Sequence, residues 1–192
     1  MIDKALEEIG KLTLQSIPLF LLAIKIYVAK DMEVPMLKAL SELLPTLEFY
    51  FGEESMLHAL VYTAVGIYYS KKAEEPESVR SQKVVTFYEH SLKIALKLYG
   101  EKAQEVADIF LSRASAFINL GKYDLFNKDI QNAVKIFKAH SKSGPKIAEC
   151  NHLMGRVLCL EGNVGEGIEL MELSSSQYMK MYSHIESLCI LF

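Results

Sequence analysis

Apolar residues recur at three- and four-residue spacing along almost the whole chain, and nowhere does strict alternation last long enough to make a strand. The pattern predicts an all-α protein. In the clearest stretch, which begins at Ala107, Phe110, Ala114 and Phe117 stripe one helix, Gly121, Lys122 and Tyr123 turn the chain, and Ile130 and Ala133 stripe a second. Two such stripes are buried by facing each other. Ala148 opens the same arrangement with Met154, Gly155 and Leu158, a turn at Gly162, then Gly167, Met171 and Ser174. Gly155 and Gly167 sit where the two backbones should come closest. A third copy starts at Ala59, with Tyr62, Val65, Gly66 and Tyr69, and resumes at Val84, Tyr88 and Ser91. The least regular copy starts at Ile17, with Phe20, Ala23, Ile24 and Tyr27, a turn near residues 31–34, then Met36, Leu40 and Leu43.

The copies therefore begin at Ile17, Ala59, Ala107 and Ala148, in steps of 42, 48 and 41 residues. The long step is one period of about 42 with six extra residues, placed in the polar stretch 71–81 (KKAEEPESVRS), which holds Pro76 and reads as an exposed loop. A second register supports the count. Phe51-Gly52-Glu53 and Tyr99-Gly100-Glu101 stand 48 residues apart, each glycine where a helix would stop. Self-similarity of this length predicts a stacked solenoid of helix hairpins, about four pairs with end helices, in a single domain over 1–192. Its parts are an N-terminal capping helix over 1–16, repeats over 17–52, 59–100, 107–141 and 148–182, and an apolar tail over 183–192. That tail is read either as a capping helix or as the start of a fifth pair cut from a longer array.

Charge narrows the partners. The 21 Lys and Arg are outnumbered by 24 Asp and Glu, giving a net charge of −3, so the chain lacks the basic footprint that nucleic-acid binding needs. The apolar run 17–29 is too short for a membrane span and carries Pro18. No targeting segment is read at the start, where Asp3, Glu7 and Glu8 replace a basic region. Three cysteines, Cys150, Cys159 and Cys189, form no framework and suit free thiols, which points to the cytoplasm.

The stripes and turns resemble tetratricopeptide repeats, whose plain period is about 34 residues. The longer step is similar to the repeats of kinesin light chains. Residues 95–124, ALKLYGEKAQEVADIFLSRASAFINLGKYD, carry most of this likeness, which covers roughly residues 17 to 180. Arg113 stands where a leucine is usual, and Phe126 and Met36 where alanine is usual. The resemblance implies a right-handed superhelix and a peptide-binding groove on the first helices. Mapped onto this chain, the groove takes Leu21, Lys25 and Val28; Thr63, Ile67 and Ser70; Leu111, Ser115 and Ile118; and His152, Arg156 and Cys159. With Lys25 and Arg156 as its only cations, such a groove suits a partner segment with apolar anchors and acidic flanks.

No reactive constellation competes with this. Cys150 and His152 are two apart, about 200° around a helix, and cannot share a metal. The five histidines are scattered, and Gly162, Gly165 and Gly167 follow a helix rather than a strand, so they are not a phosphate loop. The expected function is a non-enzymatic protein-interaction scaffold without metal or cofactor. The alternative is a structural subunit that assembles with itself or a larger complex through its end helices, including the apolar tail, and its convex face.

Overall fold

The computed structural model describes residues 13–141 and 144–189, with side chains through Lys180. Among the described residues a 3-10 turn, Leu14–Ser16, is followed by eight α-helices and no strand: α1 (Ile17–Ala29), α2 (Glu33–Phe51), α3 (Met56–Lys71), α4 (Glu77–Tyr99), α5 (Gln104–Asn119), α6 (Tyr123–His140), α7 (Pro145–Leu160) and α8 (Val164–Cys189). The helices pack as adjacent pairs, α1 with α2, α3 with α4, α5 with α6 and α7 with α8. The chain divides after Glu101 into two compact units. The proposed capping helix over 1–16 falls largely outside the described residues.

In unit 1, α1 starts with Pro18 in its first turn, where the missing N–H costs nothing. Gly52 and Gly100 end α2 and α4 at φ 78° and 79°, and their N–H groups donate to the carbonyls of Glu48 and Leu96 at 2.9 Å each. Only glycine takes that backbone region without a Cβ penalty. The core joins Ile24, Met36, Leu43 and Leu47 to Val61, Val65, Tyr68, Val84 and Tyr88, all fully buried. Gly66 makes room for Tyr88, since a Cβ there would lie 2.6 Å from the ring. Ser91 Oγ donates to the Ala59 carbonyl at 2.8 Å, fixing α4 on α3. Packing of α1 on α3 joins the two pairs.

The polar stretch 71–81 departs from the loop reading. Helix α3 runs to Lys71 and α4 begins at Glu77, so only 72–76 connect them, and the rest of the extra length becomes the first turns of α4. Pro76 caps that helix and Glu77 provides an acidic first turn, which favours the helix end there. The charges are also not simply solvated. Lys72 pairs with Glu33, in the first turn of α2, and donates to Tyr68 Oη at 2.7 Å. Lys83 pairs with Glu75 at 2.8 Å and lies 4.2 Å from the centre of the Tyr69 ring.

The start of α3 carries a titratable cap. His58 is 4% exposed; its Nδ1 accepts from the Ser55 N–H at 3.3 Å, and a further hydrogen bond joins the ring to the backbone of Leu44 in α2. Burial holds the imidazole below its ordinary value of 6.5, against opposing effects from the Leu44 bond and Glu48. The unfolded chain therefore binds the proton first, so stability is complete above pH 6.5 and declines as pH falls from there through the lowered folded value. Acidification from pH 7.5 to 5 is expected to lower the thermal midpoint. His58→Gln should flatten that part of the decline, because glutamine three residues after Ser55 completes a capping box without titrating. Parallel melts of the two proteins at both pH values check this, and equal slopes would exclude His58 as the cause.

In unit 2, α5 and α6 close over Val106, Ala107, Ala114, Phe126, Ile130 and Ala133, each at most 1% exposed. Arg113 lies on α5 and reaches Asp129 of α6, donating from Nε and Nη2 to the two carboxylate oxygens at 2.6 and 2.8 Å. The pair α7 and α8 meets at Gly155 and Gly167: a Cβ on Gly155 would lie 2.6 Å from the Gly167 carbonyl, and one on Gly167 would lie 2.7 Å from that of Gly155. Ser174 Oγ donates to the Ala148 carbonyl at 2.7 Å, repeating the Ser91 to Ala59 bond. Packing of α6 on α7 joins these two pairs. Helix α8 is continuous through Cys189, so no turn separates the fourth pair from the tail over 183–192. Residues 168–189 contain neither glycine nor proline to stop it. The tail side chains lie outside the described residues.

Candidate functional site

Five of the twelve groove residues converge in unit 1. Leu21, Lys25 and Val28 from α1 and Thr63 and Ile67 from α3 line one cavity of about 370 Å³. On each helix these positions are three or four residues apart and so share a face. Ile24, Leu60, Val61 and Ala64 complete the wall; sequence reasoning missed them because they lie one turn away or on the neighbouring stripe. Ile24 and Val61 are core residues at 1% exposed, which anchors the floor. The lining is aliphatic apart from Lys25 and Thr63. Thr63 Oγ1 is hydrogen-bonded to Ser91 Oγ at 2.8 Å, while Lys25 is exposed and forms no ion pair among the described residues.

Ser70, the sixth position of this unit, is 1% exposed, and its Oγ donates to the Ile67 carbonyl at 2.8 Å; it faces the packed interior instead of the cavity. In unit 2, Leu111 and Ile118 are 3% and 7% exposed and form part of the core, so neither is offered to a ligand. Ser115 is half-buried, and His152 and Arg156 are exposed on α7. Cys159 is half-buried against α8, with its Sγ where a Cβ on Gly167 would lie at 2.5 Å. The groove mapping treated the face of α5 as open; its apolar positions are packed.

Cys150 is fully buried while His152 is exposed, which sets them on opposite sides of α7. Among the described residues no three His, Cys, Asp or Glu side chains converge as a metal ion would require. Burial pushes the Cys150 thiol up to about 12. Only the thiolate attacks alkylating reagents. Cys150 in the native protein is therefore expected to react with iodoacetamide at pH 8 at least about a hundredfold more slowly than after denaturation. Peptide mapping of the labelled sites checks this, and equal rates would show that the site opens freely. No protein-family model and no curated protein matches the chain.

Proposed function

We propose that the chain is a non-enzymatic interaction scaffold of tetratricopeptide type, built as a right-handed solenoid of the longer, kinesin-light-chain-like repeat. The cavity between α1 and α3 carries this reading: aliphatic walls, with a cation at the edge that has no ion pair among the described residues, suit an apolar anchor beside an acidic flank. The recurring serine bond supports the repeat assignment, since Ser91 and Ser174 each donate to the alanine carbonyl that opens their copy. Among the described residues no helix is long and apolar enough to cross a membrane, and Cys150 and Cys159 are free thiols. A reducing compartment such as the cytoplasm is the setting we propose.

A Leu21→Glu, Val28→Glu double variant tests the scaffold. Both side chains are only half-buried, so the charges should disturb the cavity more than the fold. Pull-downs from the native source should lose the partners that the wild type retains, at an unchanged helical content. Identical partner lists would overturn the reading. The alternative, assembly through end helices, is favoured by Val164 and Ile168, which lie one turn apart on α8 and are 51% and 45% exposed. Sedimentation of the full chain against a Val164→Lys, Ile168→Lys variant separates it, because only self-assembly through this row predicts a fall in mass.

A further inference from the structure

The cavity of unit 1 has narrower chemistry than an interaction surface needs. Apart from Lys25 and Thr63 its walls are aliphatic, with Leu21, Ile24, Val28, Leu60 and Ile67 among them, and the hydroxyl of Thr63 is held by Ser91. The lining residues lie within α1 and α3, whose backbone groups are bonded along the helices. A peptide backbone entering this space would leave its own N–H and C=O groups unpaired, which is costly, so a protein partner could place only an apolar side chain here. An alkyl chain would lose nothing by entering. The volume of about 370 Å³ falls in the range of small-molecule sites, about 300–1,000 Å³. Lys25 then supplies a single positive charge at an exposed position of the lining, with no ion pair of its own among the described residues.

We propose that this cavity binds a free aliphatic monocarboxylate, a fatty acid of medium chain length, with the alkyl chain between α1 and α3 and the carboxylate at Lys25 Nζ. A cationic amphiphile lacks the matching head group. A sugar or nucleotide would bury polar groups with nothing to receive them. The proposal adds a small-molecule ligand to the scaffold reading and does not depend on a protein partner.

The probe is sodium dodecanoate below its micelle concentration, titrated calorimetrically into the full chain. A Leu60→Trp variant gives a second readout, because the chain contains no tryptophan and Leu60 is half-exposed at the cavity. One saturable site in the micromolar range is expected, weakening about threefold to fourfold for each methylene removed toward octanoate. Lys25→Met should weaken dodecanoate about threefold and leave dodecanol binding unchanged. Ala64→Phe and, separately, Ile67→Trp should fill the space from α3 and abolish binding, with melts showing which of the two keeps the fold.

Absence of saturable binding, retention of binding in a folded cavity-filling variant, or equal affinity for dodecyltrimethylammonium would each overturn the proposal. If dodecanoate fails to bind while the Leu21→Glu, Val28→Glu variant still loses its protein partners, the fatty-acid proposal falls and the scaffold reading stands. If dodecanoate binds and the partner lists are unchanged, the fatty-acid site stands and the scaffold reading falls.

Discussion

Replacing Asp129 with leucine is expected to destabilise unit 2 by about 3–5 kcal/mol. The Asp129 side chain is 2% exposed and that of Arg113 is 16% exposed, so removing the carboxylate strands a guanidinium that has almost no water to fall back on. Arg113 is boxed in, with its guanidinium carbon 5.6 and 5.8 Å from the ring centres of Phe110 and Phe117. Those rings ease its burial but cannot replace a carboxylate that accepts two charge-assisted hydrogen bonds. The loss measures truncation and not the worth of the pair. An Arg113→Leu, Asp129→Leu double variant is therefore expected to lose less than Asp129→Leu alone, because no charge is left buried without a partner. Urea unfolding of Asp129→Leu, Arg113→Leu and the double variant against the wild type checks both statements. A double variant as unstable as the sum of its singles would show that the pair is not coupled.

The second large effect is at Gly155. Gly155→Ala is expected to cost about 1–3 kcal/mol, even though alanine in a helix interior is worth up to about 1 kcal/mol over glycine. The new methyl would meet the Gly167 carbonyl at 2.6 Å and Met171 Cγ at 2.8 Å. Methionine can bend away, but the carbonyl belongs to the backbone of α8 and moves only with the helix. Gly167→Ala faces the same barrier from the other side, at the Gly155 carbonyl. Gly155→Val should cost more than Gly155→Ala, because separation of the helices is the only relief for a branched side chain. Thermal melts of the alanine and valine variants check the order, and an alanine variant as stable as the wild type would mean that the helices part at little cost.

The helix pairs were legible because their apolar stripes keep the three- and four-residue spacing over most of their length. Gly155 and Gly167 were legible as a close approach for a related reason: small residues on facing stripes leave few other packings. The Arg113 to Asp129 pair was not visible. A charged residue on a stripe reads as a departure until its partner, sixteen residues on, is folded against it. The division of 71–81 between loop and helix also escaped the sequence, because polar residues after a proline serve a turn and a first helical turn equally well. At the site, the helical spacing of Leu21, Lys25 and Val28 and of Thr63 and Ile67 put each set on one face, and these five residues line one cavity. The mapping failed where a repeat pattern says nothing about burial, as at Ser70, Leu111 and Ile118.

The two serine bonds have a consequence for how the chain tolerates changes in length. Ser174 lies 26 residues beyond Ala148, while Ser91 lies 32 beyond Ala59, yet both reach the same carbonyl of their pair. A rotation by a single residue, about 100°, would carry either hydroxyl off its acceptor. Each serine thus works as an indexing pin for the angular setting of the second helix. The six additional residues lie upstream of the pin, where they lengthen the connector and the start of α4 without turning the helix that follows. Insertions ahead of the serine should therefore be absorbed, whereas a single residue added between Ser91 and Gly100 would leave the pin engaged and rotate only the helix end beyond it.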